Sequence, residues 1–344
     1  MKKILLSLAA VCCLGGAAAA KQPLYKNRKA PIERRVEDLL ARMTLHEKVL
    51  QLQNREAGKL GELEDRFHGE SAGTVHEMGH DAAECQRIIG ELQEYMFTKT
   101  RLGIPALTCV EGIQGVLQNG ATLFPHSIAQ GSTFNPALIE RMTDACGREA
   151  AAMGLHQILS PVLDIARELR WGRIEETFGE DPYLASETAV QYIEGMQSEG
   201  VMATIKHFAG NNQEWDRHQV SSDIDERTLH EIYLPAFRKA VEQAGVGAVM
   251  SSYNLVNGQH ATENEQLAVD ILRGMWGFEG IFMSDWNATY SAEGAANRGL
   301  DLEMPSARFM NARNLRPLIE SGVVSERTID LKCQHILQTL IAFG

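Results

Sequence analysis

The sequence predicts an α/β protein built as one (β/α)8 barrel of the TIM type. From residue 104 onward, short apolar runs alternate with stretches of helical periodicity, an order that favours a parallel sheet with helical crossovers. Several of these runs end in polar residues, as expected where parallel strands present their carboxyl ends at one shared face. No G-x-G-x-x-G opens the first unit, which argues against the alternative, a doubly wound open sheet.

Length and composition agree with a single barrel domain. Of the 344 residues, 44% are hydrophobic and 23% are charged, which is ordinary for a globular protein. The net charge of −12 disfavours nucleic acid and anionic membranes as partners. No internal repeat or low-complexity linker divides the chain.

Residues 1–20 are predicted to be a secretory signal peptide. Residues 1–3 include two lysines, residues 4–14 form an apolar run too short to span a bilayer, and residues 17–20 offer an A-x-A cleavage site. A membrane anchor, or lipidation at Cys12 or Cys13, is the alternative. We therefore expect a secreted or periplasmic protein whose barrel domain occupies residues 21–344.

Four cysteines lie beyond the predicted signal peptide, namely Cys85, Cys109, Cys146 and Cys333. They are widely spaced and include no C-x-x-C pair, so their spacing supports no zinc site. We expect mostly buried thiols, with one disulfide as the alternative. Nothing in the sequence indicates a metal ion or an organic cofactor.

The N-terminal elements are predicted from apolar spacing and capping residues. Residues 31–53 have helical spacing, and Thr44 with Glu47 makes a capping-box pattern inside it, so we expect two helices that meet there. A polar, glycine-bearing loop is expected over residues 58–80, and a further helix over residues 81–100.

The elements that follow alternate between strand and helix. Strands are predicted near residues 104–109, 157–163, 201–206, 246–251, 280–284 and 299–303. Helices are predicted near residues 136–154, 183–199, 226–244, 264–275, 288–298 and 307–321. The pairs Asn135-Pro136 and Asp181-Pro182 mark two helix starts, because proline is favoured in the first helical turn.

The segment IFMSDWNATY, residues 281–290, is the most informative stretch of the chain. Its apolar run stops at Asp285 and Trp286, so a carboxylate and an indole lie where a buried strand ends. In a barrel, that is the end at which catalytic residues collect. The other polar candidates are Glu111, Lys206 and His207 at strand ends and Arg173 in the segment LRWGRIEETFGEDP.

Together these groups would provide two carboxylates and three donors of hydrogen bonds. Such a set suits a sugar ring better than a phosphate, because sugar hydroxyls donate to carboxylates and accept from Lys, Arg and His. Tyr253 and Trp286 would offer apolar faces for the C–H side of the ring. Each group also has a structural explanation: Asp285 as a helix cap, Glu111 as a turn residue, Lys206 with His207 as a loop tether, Arg173 paired with Glu175, Glu176 or Glu180, and both aromatics as packing.

The motifs SPVLDIARELRWGRIEETFGEDPYL, IKHFAGNNQEWDRH, VMSSYNLVNG and FMSDW occur in this order and together resemble glycoside hydrolase family 3. The resemblance runs from about Leu39 to Gly344. It implies a TIM barrel that acts on a saccharide by a retaining mechanism, with Asp285 as the catalytic nucleophile. It also implies that Arg173, Lys206 and His207 hold sugar hydroxyls, that Met250 and Tyr253 line the site beside Glu111 and Trp286, and that non-prolyl cis peptide bonds occur near Lys206.

Two stretches of the sequence depart from the family pattern. Glu111 stands where many family glucosidases carry Asp, and the longer side chain moves the carboxylate by about 1.5 Å. Family members with Glu at this position include β-xylosidases, which leaves the sugar open. Glu168 and Leu169 replace a frequent Asp-Pro pair, a change expected to alter a turn rather than the chemistry.

The general acid/base is the largest open question. In two-domain family members, the general acid/base is a Glu on an α/β sandwich domain that follows the barrel. We expect this sandwich to be absent from the 344 residues. A C-terminal domain or a partner chain would then supply the acid. Asp216 and His218, in the loop after the KHF motif, are the alternative source.

The leading hypothesis is an exo-acting, retaining glycosidase that removes terminal non-reducing β-D-glycosyl residues, most simply a β-glucosidase. The alternatives are a β-xylosidase and a sugar-binding fragment with weak catalysis. A barrel lyase that uses Lys206 as a Schiff-base amine is a hypothesis from another class.

Overall fold

A parallel sheet forms the centre of the computed structural model, which describes residues 22–344. Its strands are hydrogen-bonded side by side in chain order. They are β1 (Asn54–Glu56), β2 (Thr74–His76), β3 (Leu107–Val110), β4 (Gln157–Ile158), β5 (Met202–Phe208), β6 (Ala248–Ser251) and β7 (Ile281–Met283).

Residues 301–303 close this sheet into a barrel. Leu302 forms a parallel bridge with Met283 at the end of β7, and Glu303 forms one with Gln53 just before β1. The carbonyl of Glu303 accepts a hydrogen bond from the amide of Asn54 at 3.2 Å. The prediction of a single TIM-like barrel is therefore confirmed, with residues 301–303 in the place of the eighth strand.

The sequence did not predict β1 and β2. Each has three residues, and β2 lies inside the stretch expected to be a loop. These strands carry polar side chains such as Asn54, Thr74 and His76, so no apolar run marks them. They form because parallel pairing with their neighbours satisfies their backbone groups. The prediction over residues 157–163 was too long, since Pro161 has no N–H to donate.

Helices surround the barrel largely where they were expected. The capping box at Thr44 separates the first two helices as predicted. The stretch predicted over residues 226–244 is broken into a short turn, a π-helical turn (Leu229–Tyr233) and a helix that begins at Pro235. The α-helices include Ile32–Leu40, Leu45–Gln51, Leu63–Phe67, Ala82–Lys99, Ser127–Gly131, Pro136–Met153, Pro182–Ser198, Pro235–Glu242, Ala292–Asn297, Ala312–Glu320 and Glu326–Phe343, and Gln266–Met275 is π-helical.

Beyond the carboxyl ends of the strands lies a small second sheet. It consists of Ser221–Ser222, Leu255–Val256 and Gln259–His260. These pieces come from the segments that follow β5 and β6. They therefore fix the loops that carry side chains over the barrel mouth.

The cysteine prediction is confirmed, because Cys85, Cys109, Cys146 and Cys333 are buried and free. Burial raises the pKa of Cys85 to about 11 and that of Cys109 to about 12. Over residues 22–344, no helix combines the length and the apolar character that crossing a bilayer requires. The predicted signal peptide, residues 1–20, lies outside the described residues.

Two helix glycines provide a matched test of the packing. A Cβ on Gly195 would collide with the carbonyl of Glu140 and the hydroxyl of Thr143, whereas a Cβ on Gly90 would meet nothing within 4 Å. We expect Gly195→Ala to lower the free energy of unfolding by about 1–3 kcal/mol. We expect Gly90→Ala to raise it by about 0.5–1 kcal/mol, because alanine is the better helix former. Denaturant titration measures both, and equal changes would contradict the close approach of the two helices at Gly195.

Candidate active site

Asp285 lies at the centre of the candidate site, two residues after β7. It is 5% exposed. Its Oδ1 accepts hydrogen bonds from the Tyr253 hydroxyl and from the Trp286 amide, both at 2.6 Å. Burial raises the pKa of Asp285, while the charge of Lys206 and the Tyr253 hydrogen bond oppose that rise. The carboxylate is therefore desolvated, yet its ionised form is supported from several sides.

His207, in β5, lies between two carboxylates. Its Nδ1 is 2.7 Å from Oδ2 of Asp164, and the same oxygen accepts the His207 backbone N–H at 3.0 Å. Its Nε2 is 3.4 Å from Oδ2 of Asp285. Burial, and then the nearby positive charges, lower the pKa of His207 well below its ordinary value.

Lys206 contacts Glu111 across the barrel mouth. Its Nζ donates to Glu111 Oε2 at 2.8 Å. The Lys206 side chain is 2% exposed, whereas that of Glu111 is 38% exposed, so the pair runs from the interior to the surface of the site. The peptide bonds Lys206–His207 and Phe208–Ala209 are both cis, as the family resemblance implies.

Arg173 forms an ion pair with Glu176, one of the structural explanations weighed for it. Its Nη2 lies 2.7 Å from Glu176 Oε2, and its Nε donates to both oxygens at 3.0 Å. Its charge nevertheless contributes to lowering the pKa of Asp164 and of Asp285, against the larger effect of burial. Arg173 thus borders the site while one edge of its guanidinium is already occupied.

Aromatic side chains surround Asp285. The Trp286 ring meets His76 edge to face, with centroids 5.5 Å apart. The Tyr253 ring lies 6.5 Å from that of His207. Met250 lies in β6, 1% exposed, in the hydrophobic core of the barrel. The structure therefore brings Asp285, His207, Tyr253 and Trp286 together, while Met250 is placed in the barrel core.

Sequence reasoning missed several residues of this cluster. Asp164, 4% exposed, holds His207. His76 packs on Trp286 from a strand that was not predicted. The Arg217 guanidinium lies 3.8 Å from the centroid of the Tyr253 ring. Only Asp164 had a readable signal, since it is the single charged residue in the apolar segment LSPVLDIA.

The loop that carries Asp216 and His218 folds next to Tyr253. The His218 ring meets the Tyr253 ring edge to face at 4.9 Å, and its Nδ1 is 3.0 Å from the Tyr290 hydroxyl. Burial lowers the pKa of His218. A histidine with a lowered pKa is mostly neutral at neutral pH, so little of it carries the proton that a general acid must donate.

A family model described as the glycosyl hydrolase family 3 N terminal domain matches residues 44–339. The chain is 43% identical over 251 residues to a beta-glucosidase of Rhizobium radiobacter, a match that covers 71% of the chain and 31% of that protein. It is 37% identical over 253 residues to thermostable beta-glucosidase B of Acetivibrio thermocellus, covering 70% and 34%. The chain thus spans about 30% of the length of the curated relatives it matches.

Solved structures agree with the sequence comparison. A beta-glucosidase from Erythrobacter marinus is 29% identical, with a TM-score of 0.85 over 94% of the chain and 47% of that protein. Beta-glucosidase 3B from Thermotoga neapolitana, solved in complex with glucose, is 31% identical, with a TM-score of 0.75 over 89% and 42%. The shared structure is the barrel described above.

The Tyr253 hydroxyl is expected to help keep Asp285 ionised. Because a hydrogen bond to a carboxylate favours its charged form, Tyr253→Phe should raise the pKa of Asp285. Titration of 13C-labelled aspartate carboxyls by NMR measures this. Tyr290→Phe is the matched control, because its hydroxyl donates to the Tyr253 carbonyl instead. An unchanged Asp285 pKa in Tyr253→Phe would show that this bond contributes nothing.

Proposed function

The chain belongs to glycosyl hydrolase family 3, and from this premise we propose that it forms the barrel of a retaining β-glucosidase that removes terminal β-D-glucosyl residues. One observation carries the proposal. A buried carboxylate, Asp285, lies at the carboxyl end of the barrel with one oxygen held by Tyr253 and Trp286. The two curated relatives described above are both named as beta-glucosidases, which supports the same reaction.

Asp285 is the proposed nucleophile. Its Oδ1 is occupied by two hydrogen bonds, so Oδ2 is the oxygen left to attack the anomeric carbon. Attack forms a covalent glycosyl-enzyme while the bond to the leaving oxygen breaks. Water then hydrolyses this intermediate, and the two displacements retain the configuration.

The surrounding groups would hold the sugar. Lys206 donates to its hydroxyls, Glu111 accepts from them, and Arg173 adds a donor at the border of the site, while His207 lines the site next to Asp285. Trp286 and Tyr253 present apolar faces to the C–H side of the ring. The ion pair between Lys206 and Glu111 also argues against the Schiff-base lyase hypothesis, which needs the amine in an apolar pocket.

Protonation of the leaving group needs a further acid. The family resemblance places this acid on a C-terminal domain, and we propose that such a domain or a partner chain supplies it here. The relatives have ample length for it, since the chain spans only about 30% of them. His218 is the alternative donor. The predicted signal peptide makes a secreted or periplasmic location part of the same proposal.

The nucleophile is tested by covalent trapping. We expect 2,4-dinitrophenyl 2-deoxy-2-fluoro-β-D-glucoside to label the chain on Asp285, because this leaving group departs without acid help. Asp285→Asn should lose the label, while Asp330→Asn, which changes a carboxylate on the last helix, should keep it. Intact-mass spectrometry measures the label, and labelling of Asp285→Asn at the wild-type rate would overturn the assignment.

The same experiment tests the sugar. The matching 2-fluoro-xyloside lacks the exocyclic CH2OH, and faster labelling by it would favour the β-xylosidase alternative that Glu111 raises. Unactivated β-glucosides should react about 10²–10⁴-fold more slowly when no general acid is present. Fast hydrolysis of cellobiose by the 344-residue chain alone would show that the barrel supplies its own acid.

A further inference from the structure

Asp164 is a buried carboxylate next to the site that has no role in the proposed displacement. It lies in the segment that follows β4, and its side chain is 1% exposed. Its Oδ2 accepts two hydrogen bonds from one residue, the ring Nδ1 and the backbone N–H of His207. Its Oδ1 is buried with no hydrogen-bond partner among the described residues. A single oxygen of Asp164 therefore fixes both the backbone and the ring of His207.

We infer that Asp164 is a positioning residue that holds His207 with a protonated Nε2 directed at Asp285, so that the proposed nucleophile stays ionised. This inference rests on the proposed function. Asp164 touches neither the sugar nor the reacting atoms, so it acts through His207. The distance of 3.4 Å between Nε2 and Oδ2 of Asp285 is long for a hydrogen bond. Such contacts are often loose in the free enzyme and shorten in the complex.

The protonation state follows from the geometry. One proton lies between Asp164 Oδ2 and Nδ1 of His207, because two bare acceptors 2.7 Å apart would repel each other. If the pair held only that proton, the Nε2 lone pair would face the carboxylate of Asp285. A second proton on Nε2 removes this repulsion and leaves the Asp164–His207 pair with no net charge. Burial raises the pKa of Asp164 to about 8, although the His207 backbone N–H opposes it, so the pair keeps its second proton below that pH.

Charged groups around the Asp164–His207 pair change the pKa values of both residues and so affect the second proton. Arg173 lowers the pKa of Asp164, whereas Glu176 and Asp285 raise it. Burial lowers the pKa of His207 most, and the positive charges nearby lower it further. These charges are on Arg173, Lys206 and Arg217. Because positive and negative neighbours oppose each other, the two protons are best assigned to the pair as a whole.

Asparagine cannot replace Asp164, although it has the same shape. If its carbonyl oxygen faces His207, it accepts both N–H groups, and Nε2 is left without a proton. If its NH2 faces His207, it can donate to Nδ1, but it then opposes the backbone N–H of the same residue. Only a carboxyl group accepts the backbone N–H and also leaves Nε2 protonated, with one proton shared between Asp164 Oδ2 and Nδ1 of His207.

The test is the pH dependence of covalent trapping by 2,4-dinitrophenyl 2-deoxy-2-fluoro-β-D-glucoside. For the wild type we expect the rate to rise as Asp285 ionises and to fall above about pH 8, where the pair loses its second proton. Asp164→Asn should label about 10–100-fold more slowly near neutral pH, as expected for loss of one hydrogen bond to a charged group. Its acid limb should move to higher pH, and its alkaline limb should disappear.

Asp301→Asn is the matched control. Asp301 is also buried, also binds a histidine ring, His335, and also accepts a backbone N–H, that of Phe282, but it lies at the opposite end of the barrel. It should lower the thermal stability and leave the pH profile of trapping unchanged. A wild-type profile in Asp164→Asn, with only a uniform loss of rate, would assign Asp164 a merely structural role and overturn the inference.

A measurement on the wild type keeps the inference testable if Asp164→Asn does not fold. NMR of 15N-histidine-labelled chain, with His207 assigned by the loss of its signals in His207→Gln, should show Nε2 of His207 protonated at pH 6–7. An unprotonated Nε2 in that range would overturn the inference. Failure of the wild type to be labelled by the glycoside would instead overturn the proposed function, and the NMR result would still decide the protonation of His207.

Discussion

The barrel mouth depends on one electrostatic constraint: two carboxylates, Asp164 and Asp285, are buried on either side of a single imidazole. Desolvation raises the pKa of both. The structure tolerates each buried carboxylate because hydrogen-bond donors converge on it. His207 contacts Asp164. Tyr253 and Trp286 donate to Asp285. The buried Lys206 adds the opposite charge. Removing any one donor would leave a charge in a medium that solvates it poorly.

The closed barrel makes this convergence possible. Asp164, His207, Tyr253 and Asp285 come from four successive parts of the chain, and each follows or ends a strand of the same sheet. Parallel pairing of β5, β6 and β7 aligns their carboxyl ends. The bridges of residues 301–303 to Met283 and Gln53 then join the last strand to the first. A slip of one residue in any of these strands would turn its side chains to the other face of the sheet.

The sequence predicted those parts of the fold that have a clear apolar pattern or a helix-start signal. The apolar run Ile281–Met283, just before Asp285, and the helix that starts at Pro136 carry such signals, and both were confirmed. Strand β2 could not be predicted, because its three residues are held by neighbours rather than by their own pattern. At the site, polar residues at strand ends indicated Asp285 and His207, but the sequence did not predict which residues form hydrogen bonds or ion pairs with each other. Arg173 had three acidic residues within reach in sequence, and only the fold selects Glu176.

Two buried aspartate–histidine pairs at opposite ends of the barrel show why residue types alone do not define a site. Asp301 contacts both Arg273 and His335. Burial acts to raise its pKa, but these two contacts outweigh burial and lower it. At Asp164, burial raises the pKa to about 8, and the charges of Glu176 and Asp285 add to this effect while the His207 backbone N–H and Arg173 oppose it. The first aspartate is therefore a permanent anion that ties the end of the barrel together. The second can gain or lose a proton near neutral pH, and because His207 connects it to Asp285, its proton affects the carboxylate on which the proposed reaction depends.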